Sequence, residues 1–397
     1  MTAPFALPEH VAPNLVFDFD IYNDDRLKAD LHAGFKSLHD EAPEIFYTPQ
    51  NGGHWMITRF DTMSAVLRDF DHFSNSQMNI PKTDTPYVMI PLNLDPPDHT
   101  PFRSVLLRYF APQPIADMEP VLRGWAAKLI DPVVADGGCD FTERLGAGFP
   151  VSIFMEMMGL PMDRFEVFRS VVVEFFSFIS NERRVELQKW IFDEMETLIL
   201  ARMKAPEKDL ISHLISEDIG DRTMTVEELK SMCFLLFIAG LDTVANMLTF
   251  AFHHLATDQG LQTRLRENPD KIPDFVDEAL RRFAIVNGVR MVKRDISIGD
   301  AHLKAGDMVV CSLPMGGMDE RKNACPMDFD IDRTSRFQVS FSIGAHFCVG
   351  NALARAEMRV FTQEWLDRIP NFRVANGFKP EFRAGLVMAL NHLPLEW

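Results

Sequence analysis

The sequence predicts a mainly α-helical fold with small β-sheets. Apolar residues recur at intervals of three and four from about residue 102 to residue 286, which is the periodicity of helices that pack against a core. Short β-like runs stand before and after this stretch, and turn residues separate them. Composition is even along all 397 residues, without a repeat or a Gly/Ser linker. We therefore expect a single domain over residues 1–397.

Composition and charge exclude several classes of protein. The chain has 40 Lys plus Arg against 57 Asp plus Glu, and the resulting net charge of −17 disfavours nucleic-acid and anionic-membrane partners. The N-terminus has neither the basic nor the apolar region of a signal peptide, and the apolar run Met232–Leu241 is about half the length of a spanning helix. Five scattered cysteines do not suggest a disulfide framework. These features predict a soluble cytoplasmic protein.

A β-hairpin and a long loop are predicted near the N-terminus. In the β-rich part, about residues 40–60, the runs EIFYT and HWMIT flank Asn51-Gly52, a pair that favours a tight turn. Prolines then recur through the following segment, where they rule out a helix or a central strand. We expect a long loop here, of a kind that is often functional. These prolines are Pro81, Pro86, Pro91, Pro96 and Pro97.

The helical core covers about residues 102–286, and short strands follow it. The Phe- and Val-rich segment within it is either a buried helix or one wall of an apolar pocket. The predicted helices are Glu119–Ile130, Val151–Met157, Arg164–Ile179 (the Phe- and Val-rich segment) and Arg184–Met203. The predicted strands are Val289–Val292, Ile296–Ile298 and Met308–Leu313.

One central helix is predicted to be unusually long. Thr225 and Glu228 form a capping box, and no proline interrupts the following 32 residues, or roughly 48 Å of helix. In the middle of this helix, Gly240 lowers helix stability by about 1 kcal/mol relative to Ala. We expect a kink at this position, with a local break in hydrogen bonding. Asp242 and Thr243 are polar within an apolar stretch. Either Thr243 bonds back to its own helix and Asp242 lies on a surface stripe, or the two form a proton-delivery pair.

The strongest functional signal is the segment FSIGAHFCVGNALAR, which begins at residue 341. Gly344 and Gly350 bracket Cys348, so the backbone can turn tightly and direct amide N–H groups at the sulfur. A helical pattern follows directly, and a helix N-terminus stabilises a thiolate. Alternatively, Cys348 is a small buried hydrophobe, or a zinc ligand together with His346 and Cys325. The zinc site would lack a second paired ligand at the usual spacing.

This segment resembles the haem-binding loop of the cytochrome P-450 family, here residues 341–350, whose pattern is F-x-x-G-x-H-x-C-x-G followed by L-A-R. Glu278 and Arg281 resemble the family's E-x-x-R pair, and Arg333 resembles the meander arginine that completes that ion network. The sequence AGLDT, residues 239–243, resembles the oxygen-activating helix. The resemblance implies the triangular, helical haem-thiolate fold, bound haem b and monooxygenase activity with O2.

The resemblance also implies roles for individual residues. The segment from residue 95 to residue 103 reads DPPDHTPFR and resembles the family's D-P-P-x-H-x-x-x-R, whose His and Arg bind haem propionates. Cys348 would be the axial ligand of the haem iron, and Asp242 and Thr243 would deliver protons for oxygen activation. The implied haem-binding residues are His99, Arg103, Arg290, His346, Cys348, Phe341 and Gly350.

Within the family, the chain most resembles the bacterial camphor hydroxylases, through segments such as LVFDFDIYN, MCFLLFIAGLDTV and the ending LPLEW. This implies a small apolar terpenoid ketone as substrate, with Tyr87 donating a hydrogen bond to the ketone. Gly288 replaces an Asp of that subgroup, Ile238 replaces a smaller Val, and the loop before Tyr87 lacks the subgroup's potassium-site residues. The implied substrate pocket is Tyr87, Leu235, Ile238, Val286, Leu386 and Val387.

The subgroup also implies redox partners. Its members receive two electrons from a soluble 2Fe–2S ferredoxin, which an FAD-dependent, NADH-linked reductase reduces, and Arg103 is a candidate docking residue. Three alternatives remain at this point. The substrate could be an ionone-type norisoprenoid or another terpenoid, or the protein could be a peroxygenase or a non-catalytic haem sensor. The acid–threonine pair disfavours the last two.

Overall fold

Helices form the larger part of the structure, a computed structural model that describes residues 7–83, 88–176 and 180–397. Fifteen α-helices occur in these residues, and short 3₁₀ turns connect several of them. The helices are α1 (Arg26–Ala29), α2 (Leu31–Glu41), α3 (Phe60–Arg68), α4 (His99–Tyr109), α5 (Pro112–Asp117), α6 (Glu119–Ile130), α7 (Gly148–Met158), α8 (Phe165–Phe176), α9 (Asn181–Lys204), α10 (Leu210–Ser216), α11 (Val226–Thr257), α12 (Gln259–Glu267), α13 (Ile272–Arg282), α14 (Leu313–Gly317) and α15 (Asn351–Arg368).

The strands of the described residues form small sheets. The largest has the order β1-β2-β10-β7-β3, in which only β2 and β10 run parallel. Three strands form a second sheet, β11-β14-β4, and the pairs β5-β6, β8-β9 and β12-β13 are separate. The strands are β1 (Ile45–Thr48), β2 (His54–Ile57), β3 (Phe73–Ser74), β4 (Gly138–Asp140), β5 (Asp218–Ile219), β6 (Arg222–Thr223), β7 (Asn287–Val292), β8 (Ile296–Ile298), β9 (Ala301–Leu303), β10 (Met308–Ser312), β11 (Arg373–Val374), β12 (Phe382–Arg383), β13 (Ala389–Leu390) and β14 (Pro394–Glu396).

The predicted mainly α fold with small sheets is confirmed, and many elements fall where periodicity placed them. Helix α6 has the predicted bounds, and α7, α8 and α9 overlap the other three predicted helices. Strands β1 and β2 form the predicted hairpin, and Asn51 at its turn has a φ of 54°. The proline-rich segment contains neither helix nor strand in its described residues, 75–83 and 88–98. Residues 177–179 of the predicted Phe- and Val-rich helix lie outside the described residues.

Helix α11 crosses the core and organises the fold. The predicted capping box is present, since Thr225 Oγ1 accepts from the Glu228 N–H and the Glu228 side chain accepts from the Thr225 N–H. The helix contacts α7, α8, α9, α12, α13 and α15. By length and composition α11 could cross a membrane, but 72% of its most apolar window is buried inside the protein. That burial is typical of a core helix.

The predicted break in α11 at Gly240 is wrong, because the helix is continuous from Val226 to Thr257. Gly240 instead allows a close contact between helices. A Cβ atom at this position would lie 2.8 Å from Cδ2 of Phe154 on α7, which is too short for a non-bonded contact. The absent side chain therefore makes room for the Phe154 ring.

Aromatic packing holds α15 against α11. Phe252 of α11 contacts Phe361 and Trp365 of α15, with ring centroids 5.6 and 5.5 Å apart, and stacks on Phe141 at 4.5 Å. Such ring pairs contribute about 0.5–1.5 kcal/mol each beyond the burial of their area. This packing fixes the position of α15, and the loop that contains Cys348 leads directly into its N-terminus.

Candidate functional site

A predominantly apolar cavity of about 350 Å³ lies between α11 and the segment that precedes α15. Its walls also include parts of α4, α7, α13, β7 and the proline-rich loop. Five of the seven predicted haem-binding residues bring polar or charged groups to this wall, and Phe341 and Gly350 lie on it too. These seven are His99, Arg103, Arg290, Phe341, His346, Cys348 and Gly350.

Cys348 lies on the cavity wall, three residues before α15 begins. Its main-chain N–H donates to the carbonyl of Phe341 at 2.7 Å, which closes the loop. Burial raises the pKa of the Cys348 thiol, while the backbone N–H of Gly350 and the cations Arg103 and Arg355 act to lower it. The expected thiolate-stabilising groups are therefore present, but in the protein alone desolvation outweighs them. A positively charged metal at the sulfur would reverse that balance.

Two histidines and two arginines gather on the same wall. His99 begins α4, Arg103 lies one turn later and donates to the carbonyl of Phe347, and Arg290 lies on β7. The rings of His99 and His346 are 4.7 Å apart. Burial and the neighbouring cations, Arg290 first, lower the pKa of His346 to about 3. The cluster is therefore a largely buried region in which positive charge predominates, although the Asp95 carboxylate acts on His99, Arg290 and His346.

Unpaired nitrogens in this cluster fit a missing polar ligand. Both ring nitrogens of His99 and Nε2 of His346 are buried and have no hydrogen-bond partner among the described residues. Buried polar groups rarely stay unpaired, so an anionic ligand that accepts from one N–H of each ring is the simplest explanation. Haem, with two propionates and an iron that needs one protein ligand, fits this arrangement. No group of three or more His, Cys, Asp or Glu side chains in the described residues could form a conventional metal site.

Asp242 and Thr243 lie on α11 at the edge of this cavity. Thr243 is on the cavity wall, and its hydroxyl donates to the carbonyl of Ala239 at 3.0 Å. Asp242 is not on the wall; its carboxylate pairs with Arg383 at 3.1 Å. Burial raises the pKa of Asp242, and Arg383 opposes that rise. The structure thus places an acid of raised pKa next to a hydroxyl that faces the cavity.

The predicted substrate residues are only partly brought together. Leu235 and Val286 line the cavity, but Ile238, Leu386 and Val387 do not. Val387 forms a β-bridge with the lining residue Val286. Tyr87 lies outside the described residues.

The three residues of the predicted ion network lie together. Glu278 and Arg281 are fully buried and pair at 2.7 Å, and Arg333 Nε lies 3.3 Å from the same Glu278 carboxylate. Arg336 is a fourth member, with Nε 3.6 Å from Glu278. Because a buried ion pair that loses one partner costs about 3–5 kcal/mol, this cluster is expected to contribute to stability rather than to chemistry.

Glu357 on α15 is a cavity residue that the motifs did not indicate. It is 3% exposed, lines the cavity and has no ion pair in the described part of the chain. Burial alone raises the pKa of its carboxyl well above the ordinary 4.5. A sequence signal was available, because Glu357 lies four residues after Leu353 and four before Phe361, on the buried face of the helix.

We expect Glu357→Gln to change how stability depends on pH. Because the folded-state pKa of Glu357 is raised, the wild type loses stability as pH rises from about 4.5 towards that pKa, by at most about 1.4 kcal/mol per pH unit. The variant lacks this loss, so its stability relative to the wild type should increase from pH 5 to pH 8. Thermal unfolding of the holoenzymes measures this difference. Glu381→Gln, at an exposed position, is the control, and parallel curves for Glu357→Gln would contradict the prediction.

Comparisons with known proteins agree with this geometry. The family model for cytochrome P450 matches residues 143–381, which include α11 and the Cys348 loop. The chain is 31% identical to a probable cytochrome P450 127A1 of Sinorhizobium fredii, over 98% of this chain and 97% of the relative. The crystal structure of CYP101J2 is 36% identical with a TM-score of 0.92, and that of CYP101C1 is 32% identical with a TM-score of 0.91. Each covers 99% of this chain, and the chain covers 99% and 100% of theirs. The chain therefore belongs to the cytochrome P450 family of haem-thiolate monooxygenases, whose members bind haem.

Proposed function

We propose that the protein hydroxylates a small apolar terpenoid ketone, camphor or a compound of similar shape, with O2 and two electrons. The observation that best supports this function is the cavity itself, where a cysteine and a threonine beside an acid line one apolar space. A compact apolar substrate would lose water on entering such a site, and few polar groups would be needed to orient it. An ionone-type norisoprenoid is the nearest alternative substrate.

The residues around Cys348 would hold the haem. Cys348 would bind the iron, Arg103 and Arg290 would neutralise the propionates, and His99 and His346 would donate to them through a ring N–H. Bound haem supplies the electron transfer and oxygen activation for which amino-acid side chains have no equivalent. An otherwise acidic protein, with a net charge of −17, thereby concentrates its positive charge where the cofactor needs it.

Asp242 and Thr243 would move protons to the reacting oxygen. The Thr243 hydroxyl faces the cavity and can both donate and accept a hydrogen bond. Asp242 lies behind it, and a raised pKa brings a carboxylic acid closer to the pH at which it exchanges protons efficiently. Apolar walls restrict bulk water, so protons would arrive mainly along this route.

The apolar residues of the upper wall would contact the substrate. Leu235 and Val286 remain in that role, whereas Ile238, Leu386 and Val387 would support the wall from behind. Tyr87 is proposed to donate a hydrogen bond to the ketone oxygen. One such bond in an apolar cavity would orient the substrate and favour reaction at one carbon.

The electrons are proposed to come from a soluble 2Fe–2S ferredoxin and an FAD-dependent NADH reductase in the cytoplasm. The acidic ferredoxin would approach on the Cys348 side, near Arg103. The whole of residues 1–397 is proposed to act as one domain, because the larger of two buried clusters of apolar side chains in the described residues extends from Phe19 to Leu395.

An optical titration of the ferric holoenzyme tests the substrate. A ligand that displaces the water on the iron converts low spin to high spin and moves the Soret band, so camphor should give a large, saturable shift. Val286→Phe fills part of the cavity and should weaken this binding by roughly tenfold, about 1.4 kcal/mol. Val185→Phe, at a position 43% exposed, is the matched control.

The outcomes separate the alternatives. A weak camphor shift beside a strong β-ionone shift would make an ionone-type norisoprenoid, and not camphor, the substrate. Turnover with hydrogen peroxide but not with NADH, ferredoxin and reductase would indicate a peroxygenase. No turnover with either would indicate a haem sensor and would overturn the monooxygenase proposal.

A further inference from the structure

Asp242 has its ion-pair partner in a distant part of the chain. Arg383 Nη2 lies 3.1 Å from Asp242 Oδ2, although 141 positions separate the two residues in sequence. The Asp242 side chain is 18% exposed and the Arg383 side chain 33%, so water screens this pair only in part. In the described residues, Arg383 is the only cation that acts on the Asp242 carboxyl.

Two arginines at the start of α9 have other partners. Arg183 pairs with Glu174 and Glu186, and Arg184 stacks over the ring of Phe175. The described part of the chain therefore supplies one positive charge to this carboxylate, and it comes from strand β12.

The strand that contains Arg383 is fastened to the cavity wall. Strands β12 and β13 form a hairpin, and its connecting segment is bonded to the first residue of β7 and to a residue just before that strand. The main-chain N–H of Asn287 donates to the carbonyl of Leu386 at 2.9 Å, and that of Met388 donates to the carbonyl of Ile285 at 2.8 Å. The side chain of Asn287 also donates to the carbonyl of Gly385 at 2.8 Å. Since Ile285 lines the cavity, Arg383 projects from a segment anchored to the wall.

Two further contacts fix this hairpin. Phe382 stacks on Phe250 of α11, with centroids 6.2 Å apart and ring planes within 8° of parallel. Gly385 has a φ of 123°, and a Cβ atom there would lie 2.7 Å from the Tyr22 ring, so the backbone can pass only with glycine at this position. Arg383 thus extends from a rigid support. A residue needs such a support if it is to hold another side chain in place.

We propose that Arg383 is the positioning residue for Asp242, and that it holds the carboxylate beside Thr243 but off the cavity wall. The inference rests on the proposed proton-delivery role of Asp242. With Arg383 in place the carboxylate keeps one orientation between solvent and Thr243. Without it the acid would lose its nearest positive charge, keep only the Asn246 side chain as a polar neighbour and transfer protons less efficiently.

Three variants of the full-length holoenzyme test this: Arg383→Gln, Asp242→Asn and the double variant. The first measurement needs no substrate and compares thermal unfolding midpoints. Because Arg383→Gln leaves a partly buried carboxylate without its cationic partner, the double variant should be no less stable than Arg383→Gln alone. The matched control is Arg373→Gln, which breaks the exposed pair of Arg373 with Glu396 on another C-terminal strand.

The second measurement is product formed per NADH consumed, together with the solvent deuterium isotope effect. Arg383→Gln should lower the product yield roughly threefold or more and increase the isotope effect, while Arg383→Lys restores both in part. Additive changes in the unfolding midpoints would overturn the ion-pair coupling. Coupled midpoints with a wild-type product yield would make the pair structural and overturn the positioning role. Failure of the proposed function itself would appear separately, as a wild-type holoenzyme without substrate turnover.

Discussion

Cys348→Ala is expected to retain haem and to lose the optical signature of a thiolate ligand. Among the five cysteines, only Cys348 lines the cavity. Burial raises the pKa of the Cys233 and Cys311 thiols to about 12, so neither can replace it as a thiolate. Retention of haem is expected because the four side chains proposed to bind the propionates, His99, Arg103, Arg290 and His346, remain. Monooxygenase turnover should fall by at least about 10³-fold, since the electron-donating ligand is absent.

The Soret band of the reduced carbon monoxide complex measures this loss. In the wild type the thiolate gives this band its characteristic long wavelength, and in Cys348→Ala the band should move to shorter wavelength. Cys325→Ser, at an exposed position away from the cavity, is the control and should keep the wild-type spectrum. An unchanged band in Cys348→Ala would remove the assignment of the axial ligand.

Sequence patterns predicted a helix or strand well where the signal depends on that one helix or strand alone. The bounds of α6 follow from apolar spacing, and the start of α11 follows from the reciprocal cap of Thr225 and Glu228, because these signals are contained in one helix. Gly240 shows the limit of such patterns. A side chain at this position would collide with the ring of Phe154 on another helix. Periodicity within α11 contains no information about that neighbour.

For the candidate site, too, local patterns were informative and tertiary contacts could not be predicted. The spacing around Cys348 identified the loop, and the haem site followed from the family it resembles. Helical phase could have corrected one substrate residue, because Leu235, Ala239 and Thr243 recur at intervals of four along one face of α11 and line the cavity, whereas Ile238 falls off that face. Arg383 could not have been found in this way. Its role depends on a hairpin that meets α11 only through the tertiary fold.

Thr243→Ala is expected to separate consumption of NADH from formation of product. The methyl side chain keeps the apolar wall but removes the hydroxyl, so protons from Asp242 would no longer reach the reacting oxygen in the productive order. NADH and O2 consumption should stay within about twofold of the wild type, while hydroxylated product per NADH falls roughly tenfold or more and hydrogen peroxide replaces it.

Thr249→Ala is a matched control for that substitution. The Thr249 hydroxyl donates to the carbonyl of Ala245 at 2.9 Å, the same bond back to α11 that Thr243 makes with Ala239, but Thr249 does not line the cavity. Both variants therefore lose one intrahelical hydrogen bond, and only Thr243→Ala loses a cavity hydroxyl. Thr243→Ser should restore product, because the hydroxyl returns without the methyl group. If Thr243→Ala and Thr249→Ala give equal yields of peroxide and of product, the Thr243 hydroxyl serves only as a hydrogen-bond donor within the helix and takes no part in the reaction.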